Sequence, residues 1–141
     1  METKKVASVT KRIVLGKNKP TPILRFLCWF TIIWDIAIGI YMGATGVIFM
    51  IRGENFSENS MLKDFTQNFC FTYAALHGVS FLAAILMYRL KRNGFILYSI
   101  VNIGMVVSTF IFVESLRADY VQIAFTLIMI GLFATQLKKL S

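Results

Sequence analysis

Four apolar stretches, each about as long as a lipid bilayer is thick, constrain what this chain can fold into. Between Arg25 and Arg52 the only acidic or basic residue is Asp35. No Asp, Glu, Lys or Arg occurs in the three further stretches, Phe65–Tyr88, Asn93–Val113 and Tyr120–Leu137. A transmembrane helix needs about 20 mainly apolar residues. We therefore expect four transmembrane helices, over residues 23–51, 67–88, 94–113 and 120–137.

The composition indicates the same class. Of the 141 residues, 57% are hydrophobic and 16% are charged, whereas a typical soluble domain is about a quarter charged. All backbone groups in lipid must be hydrogen-bonded, either within a helix or between the strands of a closed barrel. Barrel strands would be about half as long as these stretches and would alternate polar with apolar residues, so we expect helices. We expect an all-α integral membrane protein with an up-down-up-down bundle over residues 23–141, preceded by a basic cytoplasmic tail over residues 1–22.

The Lys and Arg residues are distributed unevenly between the two predicted sides of the membrane. With a cytoplasmic N-terminus, only Arg52, Lys63 and Arg117 of the 15 basic residues lie outside. The positive-inside rule therefore predicts that both termini are cytoplasmic. This topology also explains the net charge of +8 without a nucleic-acid partner, because no polar module carries stacking aromatics. We assign topology or lipid head-group contact to seven basic residues, Lys11, Arg12, Arg89, Lys91, Arg92, Lys138 and Lys139.

One polar residue in each predicted helix lies near the bilayer midplane. At 1.5 Å per residue, each is about 15 to 18 Å from the basic residue at the cytoplasmic end of its helix. The four are Asp35, His77, Asn102 and Thr126. We expect them to form an internal polar layer if all four face inward, with Asn102 and Thr126 bonding between helices.

Small residues share a helix face with two of these polar residues. On the Asp35 face lie Gly39, Gly43 and Gly46, and on the His77 face lie Ala74, Ser80 and Ala84. Small residues three or four positions apart let helices approach closely in a membrane. We expect these two faces to form a helix contact.

Asp35 is the residue most in need of a partner. An ionised carboxylate is costly in hydrocarbon, so Asp35 must face protein or water, pair with another group or carry a proton. His77 is the one side chain at matching depth that can both donate to it and become cationic. Two interpretations remain open: a hydrogen-bonded clip that fixes helix packing, and a proton-binding pair in a transporter.

Motifs for independent chemistry are missing from the sequence. It contains no zinc cluster, CxxC, Walker A or GxGxxG pattern, and the short loops leave no room for a catalytic domain. A single histidine cannot supply both axial ligands of a haem within one chain. We expect a protein that is not an enzyme and that has no metal or cofactor.

The segment from Met87 to Tyr98 reads MYRLKRNGFILY. It resembles a pattern in uncharacterised small bacterial membrane proteins with four helices, in which a basic turn leads into Gly-Phe-x-Leu-Tyr. The resemblance implies a bacterial inner-membrane location and no activity. In this segment we expect Gly94 to allow a tight turn at the edge of the bilayer.

These features predict two functions of different classes. The first is an accessory, assembly or stabilising subunit of a larger inner-membrane complex, whose partners are the bilayer and other membrane proteins. The alternative is a proton-coupled small transporter that acts as a homodimer, with Asp35 as its coupling carboxylate. Substitution of Asp35 by Asn separates them, because a clip should lose assembly whereas a coupling acid should lose only the pH-dependent activity.

Overall fold

The computed structural model describes residues 19–53, 65–112 and 116–140. These ranges contain no strand and form four α-helices, followed by a short 3-10 helix, Leu137–Lys139. The α-helices are α1 (Pro22–Arg52), α2 (Gln67–Tyr88), α3 (Arg92–Phe112) and α4 (Leu116–Ala134). The predicted all-helical class with four helices is confirmed. The bounds of α2 are those expected, and those of α1 and α3 differ by no more than two residues at either end.

The fourth helix departs from the expected range of 120–137. It ends at Ala134, because the chain turns there and the Gln136 N–H bonds to the Phe133 carbonyl, 2.9 Å away. Helices α1, α2 and α3 are long and apolar enough to cross a membrane, whereas the apolar part of α4, Tyr120–Ala134, is shorter. At 1.5 Å per residue this part reaches about 22 Å, less than the roughly 30 Å of a hydrocarbon core.

Local signals in the sequence explain where α1 and α2 begin. The hydroxyls of Thr21 and Thr66 accept from backbone N–H groups three residues further on, at 3.1 and 3.2 Å. Such caps satisfy donors that the first turn of a helix leaves free. At its other end, α1 stops at Gly53, which has a φ of 73° that glycine adopts readily.

The turn between α2 and α3 is built differently from the expectation. Its left-handed residue is Leu90, with a φ of 60°, and the Lys91 N–H closes the turn by bonding to the Leu86 carbonyl at 3.0 Å. Gly94 instead lies inside the first turns of α3. A Cβ atom there would lie 2.6 Å from the backbone nitrogen of Met87 and 2.8 Å from the carbonyl oxygen of Ala83. The role of Gly94 is therefore to let α3 approach the end of α2.

Consecutive helices pack side by side, and the two ends of the described bundle meet. Helix α1 packs extensively on α2, α2 on α3, and α3 less extensively on α4. The Thr21 hydroxyl, at the start of α1, donates to the Gln136 side-chain oxygen, just after α4, at 2.8 Å. The first and last described segments therefore lie at the same end of the bundle, as an up-down-up-down order requires.

Two apolar clusters fill the bundle, one near each end. The larger lies near the Thr21 end and includes Leu24, Met87, Tyr98 and Phe133. The smaller consists of Met42, Phe49, Phe69 and Cys70. Many large apolar side chains on the helices point outward, as expected for helices whose outer faces contact lipid. The predicted polar layer lies between the two clusters.

Candidate functional site

A cavity of about 390 Å³ lies within the bundle, between the two apolar clusters. All four α-helices contribute to its wall. The wall includes every residue of the predicted polar layer, namely Asp35, His77, Asn102 and Thr126. These four side chains are each at most 8% exposed. We call this space the midplane cavity.

Asp35 and His77 form a buried hydrogen-bonded pair on the cavity wall. The distance between His77 Nδ1 and Asp35 Oδ1 is 2.8 Å, and the two residues are 4% and 5% exposed. Burial of a charged side chain is costly unless it has a partner of opposite charge or shares a proton with that partner. The imidazole ring also lies edge-on to the Tyr73 ring, with a centroid separation of 4.9 Å, which fixes its orientation.

The other polar atom of each member of this pair has no partner. Asp35 Oδ2 and His77 Nε2 make no hydrogen bond to any described residue. Thr31 Oγ1 also lacks a hydrogen bond of standard geometry, although the Tyr98 hydroxyl lies near it. Buried polar groups normally have partners, so each exception requires an explanation. All three residues line the midplane cavity.

Asn102 and Thr126 reach the cavity, but the bonds of Asn102 differ from the expectation. Its Nδ2 donates to the Tyr98 carbonyl, 2.9 Å away and one turn back in the same helix. That bond does not join two helices, because a short amide side chain in a helix can reach a carbonyl of the preceding turn. Thr126 is 6% exposed and contributes a hydroxyl to the wall from α4.

The bond between helices comes from residues that the sequence reasoning missed. Gln122 of α4 donates through Nε2 to the Tyr73 hydroxyl of α2 at 2.7 Å, and its Oε1 accepts from the Thr109 hydroxyl of α3 at 2.9 Å. One side chain thus connects three helices at one end of the cavity.

A signal for the missed residues was present in the sequence. Each member of the polar layer has another polar or hydroxyl-bearing residue four positions earlier in the chain, on the same helix face. All eight residues of these pairs line the cavity: Thr31 and Asp35, Tyr73 and His77, Tyr98 and Asn102, and Gln122 and Thr126. Because neighbouring helices run in opposite directions, the polar layer therefore extends about one helical turn to either side of the midplane.

Aromatic rings border the cavity where α1 faces α4. Trp34 stacks on Phe30 at 6.2 Å and contacts Phe125 of α4 at 5.9 Å between ring centroids. Trp34 is 45% exposed and Phe125 39% exposed, so this border lies at the outer surface of the bundle. The wall of the cavity between α1 and α4 therefore includes partly exposed aromatic side chains. The cavity is only partly enclosed, and this aromatic border lies on the outer face of the bundle that lipid would cover.

The predicted contact between the small-residue faces of α1 and α2 is formed in part. A Cβ atom on Gly39 would lie 3.6 Å from His77 Cβ, and one on Gly46 would lie 3.1 Å from the Phe71 ring. Gly43, by contrast, has no atom of another helix within 4 Å of its Cβ position. Gly43 therefore lies outside the contact, although Gly39 and Gly46 on either side of it in the sequence take part.

The opposite side of the α1–α2 pair carries a shallow groove. Its volume is about 250 Å³, and small residues form much of its floor: Gly39, Ala74 and Gly78. Asp35 and His77 lie between this groove and the midplane cavity, since both residues line both spaces. Ser80 and Ala84, the other small residues of the His77 face, are buried.

The predicted lipid head-group residues divide by position. Arg89, Lys91, Arg92 and Lys138 are exposed at the end of the bundle where Thr21 meets Gln136. Lys11 and Arg12 lie outside the described residues, as does the side chain of Lys139. The exposed basic residues form a ring at one end of the molecule.

The chemistry available in the cavity is that of proton exchange and hydrogen bonding. The described residues contain no group of three or more His, Cys, Asp or Glu side chains that could hold a metal ion. Cys28 and Cys70 are both buried and free.

No protein-family model, curated protein or solved structure matches the chain.

Proposed function

We propose that this protein receives a small, mainly apolar molecule from the lipid into the midplane cavity, and that Asp35 and His77 couple its transport to protons. The protein would act in a bacterial inner membrane with both termini cytoplasmic, as a homodimer. The observation that carries the proposal is the buried Asp35–His77 pair on the wall of a cavity, with Oδ2 and Nε2 free of protein partners.

When the Asp35–His77 pair binds or releases a proton, the net charge of the pair changes. Charge is energetically costly within the bilayer, so this change is large in its effect. Ionisable residues within membrane helices that face a cavity commonly belong to ion or proton pathways. Binding or release of one proton alters the hydrogen bonds that the pair offers to a ligand. Ligand binding and proton binding are therefore linked, as proton-coupled transport requires.

The other function predicted from the sequence, an accessory subunit of a larger membrane complex, has one observation in its favour. The groove lined by Gly39, Ala74 and Gly78 is the kind of surface on which a further membrane helix packs closely. A packing clip, however, does not need a cavity, and it does not need unpartnered polar atoms at its centre. We therefore place this second candidate after the first.

Substitution of Asp35 by Asn distinguishes the two functions. The chain has two tryptophans, so a Trp29→Phe background leaves Trp34, at the border of the cavity, as the only indole. Three bromophenyl compounds serve as probes: bromobenzene, 4-bromophenol and (4-bromophenyl)trimethylammonium. Bromine quenches indole fluorescence on contact. The protein is studied in lipid nanodiscs over a range of pH, and the mass of the particle is measured in parallel.

We expect saturable quenching of Trp34 by at least one probe, with an affinity that depends on pH. The Asp35→Asn variant should retain the particle mass and lose the pH dependence. The matched control is Ser108→Ala, a buried polar substitution in α3 outside the cavity, which should change neither. Saturable quenching by none of the probes contradicts the proposal. So does loss of assembly in Asp35→Asn, which instead supports the accessory subunit.

A further inference from the structure

We infer that the ligand of the midplane cavity is an uncharged aromatic alcohol, a phenol-type head group attached to an apolar body. This inference rests on the proposed function and specifies its ligand. It follows from the hydrogen bonds that the cavity wall leaves open and from the aromatic rings at its border.

The Asp35–His77 pair has a space on each side from which a ligand could approach it. Both residues line the cavity and the groove behind it, but Thr31 lines only the cavity. Thr31 and Asp35 are four residues apart, so their side chains lie on one face of α1. Three buried polar atoms without a hydrogen bond of standard geometry therefore belong to residues that line the cavity: Thr31 Oγ1, Asp35 Oδ2 and His77 Nε2.

The overall charge of the pair decides which hydrogen bonds it offers to a ligand. A net charge is costly at the midplane of a bilayer, which favours the state in which the pair is neutral overall. In that state one proton lies between Nδ1 and Oδ1, and a second lies on Nε2. The pair then offers one N–H donor, from His77, and one acceptor oxygen, from Asp35. The complementary ligand group is one that both donates and accepts, and a hydroxyl does so.

A cationic ligand fits this neutral state poorly. It has no proton acceptor for the His77 N–H, and it would bring a net charge into the cavity. Among the described residues that line the cavity, Asp35 is the only carboxylate, and His77 already bonds to it. A hydrocarbon ligand would leave all three polar atoms unpaired, which is unfavourable in a buried site.

The aromatic border favours a flat ring as the body of the ligand. Phe30, Trp34 and Phe125 lie within 5.9 to 6.5 Å of one another between ring centroids. Aromatic pairs at such separations attract beyond simple burial. A ring inserted behind them would place its hydroxyl toward Asp35, while an attached apolar chain could leave the cavity between α1 and α4.

The three bromophenyl probes test this inference, because they share one ring and differ only in the polar group. Affinity is measured by quenching of Trp34 in the Trp29→Phe background. A Trp34→Phe variant keeps Trp29, which is not in the cavity wall, and reports how much of each probe enters the lipid. After this correction, 4-bromophenol should bind at least about tenfold more tightly than the other two, as expected for two hydrogen bonds.

A second variant keeps the test independent of the Asp35–His77 pair. Thr31→Val preserves the shape of the side chain and removes its hydroxyl, which makes no hydrogen bond of standard geometry. We expect the affinity for 4-bromophenol to fall about three- to tenfold, with binding of bromobenzene unchanged, which shows that the cavity is intact. Ser108→Ala should alter neither affinity.

The sign of the pH effect is also fixed. A pair without the proton on His77 Nε2 offers no donor, so 4-bromophenol should bind more weakly at higher pH. The titratable groups that face the pair from the neighbouring helices are the hydroxyls of Tyr73 and Tyr98, which ordinarily lose a proton only near pH 10. The α4 side chains in the wall, such as Gln122 and Thr126, carry no charge.

The possible results separate failure of this inference from failure of the proposed function. Tightest binding of the trimethylammonium probe, or equal binding of bromobenzene and 4-bromophenol, would overturn the phenol-type ligand and leave a proton-linked cavity in place. The absence of saturable quenching by every probe would overturn both.

Discussion

Substitution of Gly94 by Ala should destabilise the bundle by separating α2 from α3. The new Cβ would lie 2.6 Å from the Met87 nitrogen and 2.8 Å from both the Ala83 oxygen and Leu86 Cβ, whereas ordinary contact begins at 3.4 Å. The backbones must therefore move apart by about 0.8 Å. Overpacking of this kind costs about 1 to 3 kcal/mol, and backbone atoms cannot rotate away as side chains do. We therefore assign the upper end of this range, about 3 kcal/mol, to the clash at Gly94.

Alanine also favours the helix by up to about 1 kcal/mol relative to glycine. The expected net loss is therefore about 2 kcal/mol, or close to thirtyfold in the folding equilibrium. Reversible unfolding in mixed detergent micelles measures it. Gly43→Ala is the matched control, because no neighbouring atom lies within 4 Å of its Cβ position, and it should be neutral or slightly stabilising. Equal stabilities of the two variants would refute the steric reasoning.

Three further predictions use the same unfolding assay or a labelling assay. Thr21→Val removes both the cap of α1 and the bond to Gln136, so the bundle should lose about 1 to 2 kcal/mol; an unchanged stability would show that the ends of the bundle do not depend on this contact. Gln122→Leu removes the link from α4 to its partners in α2 and α3 and should cost about 1 kcal/mol, with no loss if lipid or water replaces those bonds. Cys28 and Cys70, both 0% exposed, should resist maleimide until the protein unfolds, and rapid labelling of the native protein would contradict their burial.

The depth of the polar layer could be read from the sequence because a helix rises by a fixed distance per residue. Counting from basic residues that anchor the helix ends placed Asp35 and His77 at one level, and the structure brings them within 2.8 Å. The strong cost of an unpartnered carboxylate in lipid then favoured His77, the one side chain of that depth able both to donate to Asp35 and to carry a positive charge.

Features that depend on helix rotation and on the path of the turns could not be read in this way. Rotation about the helix axis is set by neighbouring helices, so the sequence did not show that Gly43 would lie outside the contact or that α4 would border an opening beside Trp34. The turn at Leu90 is a further example. Glycine is the residue usually found in a left-handed turn, which drew attention to Gly94 instead.

The most direct test of the account is the state of the His77 imidazole in lipid. The chain has a single histidine, so ¹⁵N-labelled histidine gives one pair of ring-nitrogen signals, both of which belong to His77. We predict a hydrogen-bonded Nδ1 whose signal changes in Asp35→Asn, and an Nε2 whose signal shifts when 4-bromophenol is added. Ring signals that match a freely solvated imidazole, and that respond to neither the substitution nor the probe, would contradict the pair and the cavity together.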